Sequence, residues 1–238
     1  MNGECEMSDA RSDPDELIGF LRRVPWFEEM NEGALRVLAQ VAHTKRVPRQ
    51  TYVFYQDDPG DAAYVVRSGV IAILLTTPDG RELVINEMHA GDCFGELALL
   101  TREPRTASAL ARKDSELIML PRAEFLSELE RHPKVMMRVL EALAHRLRAS
   151  TERERALAFL DAPARLARVL LDLDRAASDK GYLILSQDEL AQRIGVARQT
   201  TAKILGQWRR AGWILTGRGR LVVLDRNALR RILQEEEA

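Results

Sequence analysis

Three rhythms of apolar and polar positions run along this chain, and each marks a different region. Asp13-Pro14 sets an N-cap beside a proline suited to a first helical turn, and Leu17, Ile18 and Leu21 follow at helical spacing. Leu35, Leu38 and Val41 predict a second short helix from Asn31 to Ala42. From Thr44 to about Leu120 the rhythm shortens to β-type runs at Val53-Phe-Tyr, Ala63-Tyr-Val-Val, Val70-Ile-Ala-Ile-Leu-Leu, Leu83-Val-Ile, Ser108-Ala-Leu and Leu117-Ile-Met-Leu. Turn residues separate them at Pro59-Gly60, Ser68-Gly69, Pro78-Asp-Gly80 and Ala90-Gly91-Asp92. Many short, regularly spaced strands predict a jelly-roll-like barrel.

The rhythm then lengthens. Glu124-Phe-Leu suits a short helix, and Pro133 opens a long one running to about Leu160. Met136, Leu140, Leu143, Leu147, Ser150, Glu154 and Leu157 alternate by four and three residues, the spacing of a coiled-coil seam. A helix lying on its own globular core carries a wider apolar face, so the narrow stripe predicts a homodimer. Ser150 and Glu154 interrupt the seam with polar groups that cost stability, which calls for a reason such as register or a ligand. Asp161-Ala-Pro163 reads as a hinge, and Leu166, Val169, Leu170 and Leu173 predict a helix from Ala164 to about Ala176. Residues 1–12 are polar and unpatterned, a frayed tail.

Beyond the hinge, Tyr182-Leu-Ile-Leu185 reads as a short strand, and Ser186-Gln-Asp-Glu189 is a capping box that starts a helix ending at Gly195. After Val196-Ala197 another helix runs to about Arg210. Helix, glycine turn, helix is the helix-turn-helix pattern, and Trp213 to Leu224 looks like a two-stranded wing with a basic tip. Such a hairpin alone is often a packing unit. The capping box, the run Arg198-Gln-Thr-Thr-Ala-Lys203 and the basic wing turn the reading toward DNA.

Overall charge adds nothing, with 35 basic against 36 acidic residues in 238, but its distribution does. From Ala162 onward there are 14 Lys/Arg against 9 Asp/Glu, whereas the preceding part is net acidic, so only the C-terminal part suits a polyanion. Cys5 and Cys93 lie far apart without ligand spacing, which argues against a disulfide framework, zinc site or iron-sulfur cluster. The four histidines are scattered and no nucleophile-base pair emerges, so an enzyme is not expected. No apolar run nears the roughly 20 residues of a membrane span and the N-terminus is acidic, so a cytoplasmic protein without membrane attachment is expected.

The chemistry converges on Gly95-Glu-Leu-Ala-Leu-Leu-Thr-Arg-Glu-Pro-Arg-Thr-Ala107. Backbone N–H groups freed by a turn, a guanidinium fork at Arg105 and a hydroxyl at Thr106 are what a phosphate needs. Glu96 repels a phosphate unless it accepts a hydrogen bond from a hydroxyl of the same ligand, and a ribose phosphate supplies both groups. The Gly-Glu-Leu triplet by itself reads better as a β-bulge with a surface Arg-Glu pair. The full string resembles the phosphate-binding cassette of cyclic-nucleotide-binding domains. That resemblance implies that Glu96 holds the ribose hydroxyl, that Arg105 and Thr106 hold the cyclic phosphate, and that Gly95 and Leu97 line the same turn.

From residue 13 to the end the chain resembles the CRP/FNR family of bacterial transcription regulators. The fold this implies is α+β: a cyclic-nucleotide-binding jelly-roll barrel (13–132), a dimerisation helix and hinge (133–161) and a winged helix-turn-helix (162–238). The resemblance places Ser150 and Thr151 where the family's hydroxyls bond the purine across the dimer, and Arg146 a turn earlier, facing Glu96. It makes Arg198, Gln199 and Lys203 the base-reading positions of the recognition helix, with Thr200 in the same run. The expected effector is cAMP, with cGMP as the alternative because Thr106 can accept from the guanine 2-amino group; no metal is expected. The expected partners are palindromic double-stranded DNA, a second copy of the chain and RNA polymerase, with Arg218 and Arg220 on the wing contacting phosphates. Two competing readings are a nucleotide-sensing subunit acting by protein contact, and a haem sensor using His89 and Cys93, which four-residue spacing on a strand would put on one face.

Overall fold

A computed structural model describes residues 9–10, 13–77, 82–177, 181–217 and 219–236. The chain divides into two compact units, residues 1–76 with 85–146 and residues 77–84 with 147–238.

The first unit begins with β1 (Asp9–Ala10), α1 (Pro14–Leu21), α2 (Glu32–Val41), β2 (His43–Val47), β3 (Tyr52–Phe54), β4 (Ala62–Ser68) and β5 (Ile71–Thr76). It continues through β6 (Glu82–Met88) from Ile85 on, β7 (Cys93–Phe94), α3 (Glu96–Thr101), β8 (Ser108–Ala111), β9 (Ser115–Pro121), α4 (Arg122–Arg131) and the start of α5 (Pro133–Phe159). Asp9 and Ala10, within the expected tail, pair with Lys45 and Thr44; the rest of residues 1–12 and the turn at Pro78-Asp-Gly80 lie outside the described residues. Two sheets form the barrel, in the orders β1-β2-β9-β4-β7 and β3-β8-β5-β6.

Strands β4 and β9 explain why this region reads as apolar runs rather than as alternation. Tyr64, Val66 and Leu117 point into the core between the sheets, while Ala63, Val65, Ile118 and Leu120 on the opposite faces pack under the helices with Leu35, Leu38 and Phe125. Strands covered on both faces have no solvent side to mark with polar residues. β2 was not legible as a run, because His43-Thr-Lys-Arg-Val47 is mostly polar; its register with β9, from His43↔Met119 to Val47↔Ser115, places it.

Both helix starts follow their local chemistry. The Asp13 side chain accepts from Asp15 N at 3.0 Å, and that of Asn31 from Ala34 N at 2.9 Å. Helix α5 carries two stripes where the sequence pattern emphasised one. Val135 and Val139 are buried in the barrel's helical core with Ala142 and Leu143 against it, whereas Met136, Leu140, Leu147 and Leu157 are exposed.

The second unit contains the rest of α5, α6 (Ala162–Ala176), β10 (Leu183–Ile184), α7 (Gln187–Ile194), α8 (Arg198–Arg210), β11 (Ile214–Gly217), β12 (Arg220–Val223) and α9 (Arg226–Glu236). Leu166, Leu170, Leu190, Ile194, Leu205 and Trp208 form its core with the three-stranded sheet β10-β12-β11. The Ser186–Glu189 capping box forms in both directions, at 3.1 and 2.6 Å, and Gly195 ends α7 at φ +67°. Helix α9 escaped the sequence reading, although Ala228, Leu229, Ile232 and Leu233 carry helical spacing and Asp225 accepts from Ala228 N at 2.9 Å.

Candidate functional site

The barrel site is built around Gly95, where β7 turns into α3. Its φ of +81° belongs to the left-handed region, and a Cβ there would lie 2.8 Å from Arg105 Nη1. Glycine is therefore required twice, for the turn and for the approach of the guanidinium.

Arg105 is only 2% exposed. Its Nη1 donates to Gly95 O at 2.6 Å and Nη2 to Ala62 O at 2.7 Å, while the guanidinium carbon lies 4.2 Å from the Phe54 ring centroid. The backbone around it is tied by Arg105 N to Asp58 O at 2.8 Å and Asp57 N to Arg105 O at 2.9 Å. The carboxylate of Asp61, itself exposed, stands 3.5 Å from Nη2. Burial lowers the arginine's pKa, with Tyr64, Asp61, Asp58 and Glu96 opposing the shift. Its Nε has no acceptor among the described residues. A buried cation held mainly by neutral carbonyls and an aromatic face lacks a full charge partner, and an anion would provide one.

Glu96 opens α3 and is 1% exposed. Its Oε1 accepts from Arg146 Nη1 at 2.7 Å, and Arg146 also donates to the Cys93 carbonyl. Oε2 is buried without a donor among the described residues. The structure thus brings Gly95, Glu96, Arg105 and Arg146 together and leaves one acceptor and one donor open, on a carboxylate and a guanidinium that flank the same glycine. Thr106 and Leu97 beside them are exposed. Ser150 and Thr151 have partners on their own helix, with Ser150 Oγ donating to Glu154 Oε1 at 3.3 Å and Thr151 Oγ1 to Leu147 O at 3.1 Å. Phe54 and Tyr64, the rings under the guanidinium, were missed, since a ring in a strand reads as core whichever cation stacks on it.

The geometric premise of a His89–Cys93 pair is corrected. His89 lies after β6 and Cys93 in β7, with the Ala90-Gly91 turn between them, so they do not share a strand face. Asp92 Oδ2 accepts from His89 N at 2.8 Å in that turn. His89 is exposed, whereas Cys93 is buried and burial, with Glu96 adding, holds its thiol well above the usual range.

In the second unit, Arg198, Gln199, Thr200 and Lys203 are exposed on α8, while Thr201, Ile204, Leu205 and Trp208 bury the opposite side. Arg198 Nε lies 3.6 Å from Asp188 Oδ1 on α7. Arg220 is exposed at the start of β12 and its guanidinium lies 5.0 Å from the Tyr182 ring centroid. Arg218 lies outside the described residues.

Residues 44–132 match the family model of the cyclic nucleotide-binding domain, and residues 164–232 that of the Crp-like helix-turn-helix domain. The chain is 31% identical over 217 residues to a CRP-like cAMP-activated global transcriptional regulator of Mycobacterium tuberculosis, covering 89% of this chain and 97% of that one. It is 34% identical over 185 residues to the cyclic AMP receptor protein of Thermus thermophilus, covering 78% and 85%. Among solved structures, the c-di-GMP-responsive global regulator CLP of Xanthomonas campestris superposes with a TM-score of 0.75 at 26% identity, over 82% of this chain and 100% of that one.

Proposed function

Because the chain belongs to the CRP/FNR family, whose members are ligand-responsive DNA-binding transcription regulators rather than enzymes, we propose that a 3′,5′-cyclic nucleotide, cAMP in preference to cGMP, is its effector. The observation that carries the proposal is the pair of open buried atoms, Glu96 Oε2 and Arg105 Nε. A ribose hydroxyl donates to the first, and a cyclic phosphate accepts from the second with help from the Thr106 hydroxyl. The relatives that this chain resembles over most of its length and that are named for cAMP support the choice of nucleotide.

The same geometry supplies a route from ligand to helix. Glu96 shares its carboxylate between the ligand's hydroxyl and Arg146, so binding alters the group that ties α5 to the barrel. A switch requires a ligand that interacts differently with two arrangements, and a contact on α5 meets that requirement. Ser150 and Thr151, further along α5, are the hydroxyls proposed to contact the purine across a homodimer. The exposed stripe Met136, Leu140 and Leu147 supports that dimer, since a free chain would leave these side chains in water. Leu147, 69% exposed, is the clean probe: Leu147→Asp should give monomers in light scattering with weakened DNA binding, and a dimeric variant would place the seam elsewhere. Leu143 is less suited, because it also touches the barrel core.

On DNA, α8 enters the major groove of a palindromic site whose half-sites lie about one helical turn apart. Arg198 reads a guanine, Gln199 suits adenine N6 and N7, and Lys203 donates to a guanine as a point charge. Arg220, with Arg218, contacts phosphates. RNA polymerase as partner and a cytoplasmic setting complete the proposal. Isothermal calorimetry with cAMP, cGMP and c-di-GMP, followed by a DNA shift assay at each saturating ligand, tests it. Tight binding of cAMP with an enhanced specific shift is expected; binding of c-di-GMP alone would overturn the effector, and no specific shift under any condition would favour action by protein contact.

A further inference from the structure

Asp188 sits where a DNA-binding surface should not place a carboxylate. It lies 3.6 Å from the guanidinium of Arg198, at the first residue of α8, in a domain with 14 basic against 9 acidic residues from Ala162 onward. If Arg198 reaches a base, Asp188 stands close to the phosphates on either side and weakens binding by repulsion. Its place in the first turn of α7 suits the helix dipole by less than about 1 kcal/mol, but the capping hydrogen bonds do not need it. Ser186 and Glu189 already close both directions of the capping box at the start of α7. Nor does stability, since both side chains are more than half exposed, at 65% and 56%, and such pairs contribute little.

The contact geometry offers a reason. The closest approach of Asp188 Oδ1 to Arg198 is at Nε, on the inner edge of the guanidinium, and not at its terminal nitrogens. Bidentate reading of guanine O6 and N7 needs two parallel N–H groups held in one plane. An arginine free to rotate about its long side chain meets that geometry only part of the time, whereas one held at Nε presents its terminal fork in advance.

We propose that Asp188 is a positioning residue for base readout, orienting Arg198 so that its terminal fork is presented to guanine and exchanging some overall DNA affinity for sequence discrimination. The proposal rests on the reading of α8 as the recognition helix with Arg198 as its guanine contact.

The test uses the full-length protein, with and without cAMP, on a duplex selected from a random pool, each guanine of one half-site being replaced in turn by 7-deazaguanine, which removes N7. Wild type should lose about tenfold in affinity at one guanine, the scale of a bidentate contact. Arg198→Ala should abolish that loss. Asp188→Asn should shrink it to about threefold while raising affinity for a duplex without the site; Asp188→Glu, which keeps the charge, should restore most of it, and Asp188→Asn should add nothing in the Arg198→Ala background. An Asp188→Asn protein that keeps the full tenfold loss overturns the positioning role. A wild type that finds no site, or shows no sensitive guanine, or in which Arg198→Ala leaves the loss intact, overturns the base-reading premise itself, so the two failures are told apart.

Discussion

The barrel and the helix-turn-helix each pair an arginine with a carboxylate, and the two pairs live under opposite physics. Glu96 and Arg146 meet at 2.7 Å with the carboxylate 1% exposed, next to Arg105, which is 2% exposed and leans on carbonyls and a phenyl ring. Asp188 and Arg198 meet at 3.6 Å with both side chains largely in water. In the barrel, each polar atom without a partner is a cost that the native structure carries until something supplies the missing hydrogen bond. Asp188 and Arg198 are open to water, so their pair adds little to stability. This difference in exposure separates a ligand site from a partner surface. Small-molecule recognition is set by the few buried groups left incomplete, and DNA recognition by exposed groups that are complete until the duplex displaces their water.

Perturbing the two pairs in parallel tests this contrast. The largest effect is expected at Arg105. Arg105→Ala should weaken cyclic-nucleotide binding by about 2 to 5 kcal/mol in calorimetry, because a partly desolvated phosphate loses its charge partner. Binding as tight as wild type would remove Arg105 from the site. Arg146→Met comes next: it leaves the Glu96 carboxylate buried and unpaired, and since Arg146 is itself about a quarter exposed the loss should be about 2 to 3 kcal/mol in denaturant unfolding, somewhat below that of a fully buried pair. Asp188→Asn, the matched change in the exposed pair, should alter unfolding by less than about 1 kcal/mol. Equal destabilisation by the two would end the contrast.

Effects on the DNA side should be smaller and should appear as sequence preference or salt dependence. Gln199→Glu should change the selected base pair facing that position, from one presenting adenine N6 and N7 to one presenting cytosine N4, with a discrimination of about 1 to 3 kcal/mol. An unchanged consensus from a random pool would show that Gln199 does not read a base. Arg220→Gln should leave the consensus alone and reduce the slope of log affinity against log salt by about 1, the signature of one phosphate contact. A shifted consensus would move Arg220 from the backbone into the groove.

What the linear chain determined is local in physical origin. Helix caps at Asp13, Asn31 and Ser186 form between residues two or three apart, and the left-handed glycines Gly95 and Gly195 answer to sterics within one residue, so both were readable without a fold. The cassette was readable because Gly95, Glu96, Arg105 and Thr106 fall in one short stretch, and the resemblance to a family supplied their roles and the distant Arg146. Tertiary structure decided what depends on residues far apart in sequence. It placed the polar strand His43–Val47 by its pairing with β9, split the faces of α5 between Val135 and Val139 inward and Leu140 and Leu147 outward, and put Phe54 under Arg105. It also separated His89 from Cys93 by a turn and set Asp188 against Arg198 across two helices. Periodicity reports that a position is apolar or charged, but the partner that gives the position its energy and its function arrives only when the chain closes on itself, and the orphaned atoms of Glu96 and Arg105 have meaning only in that closed state.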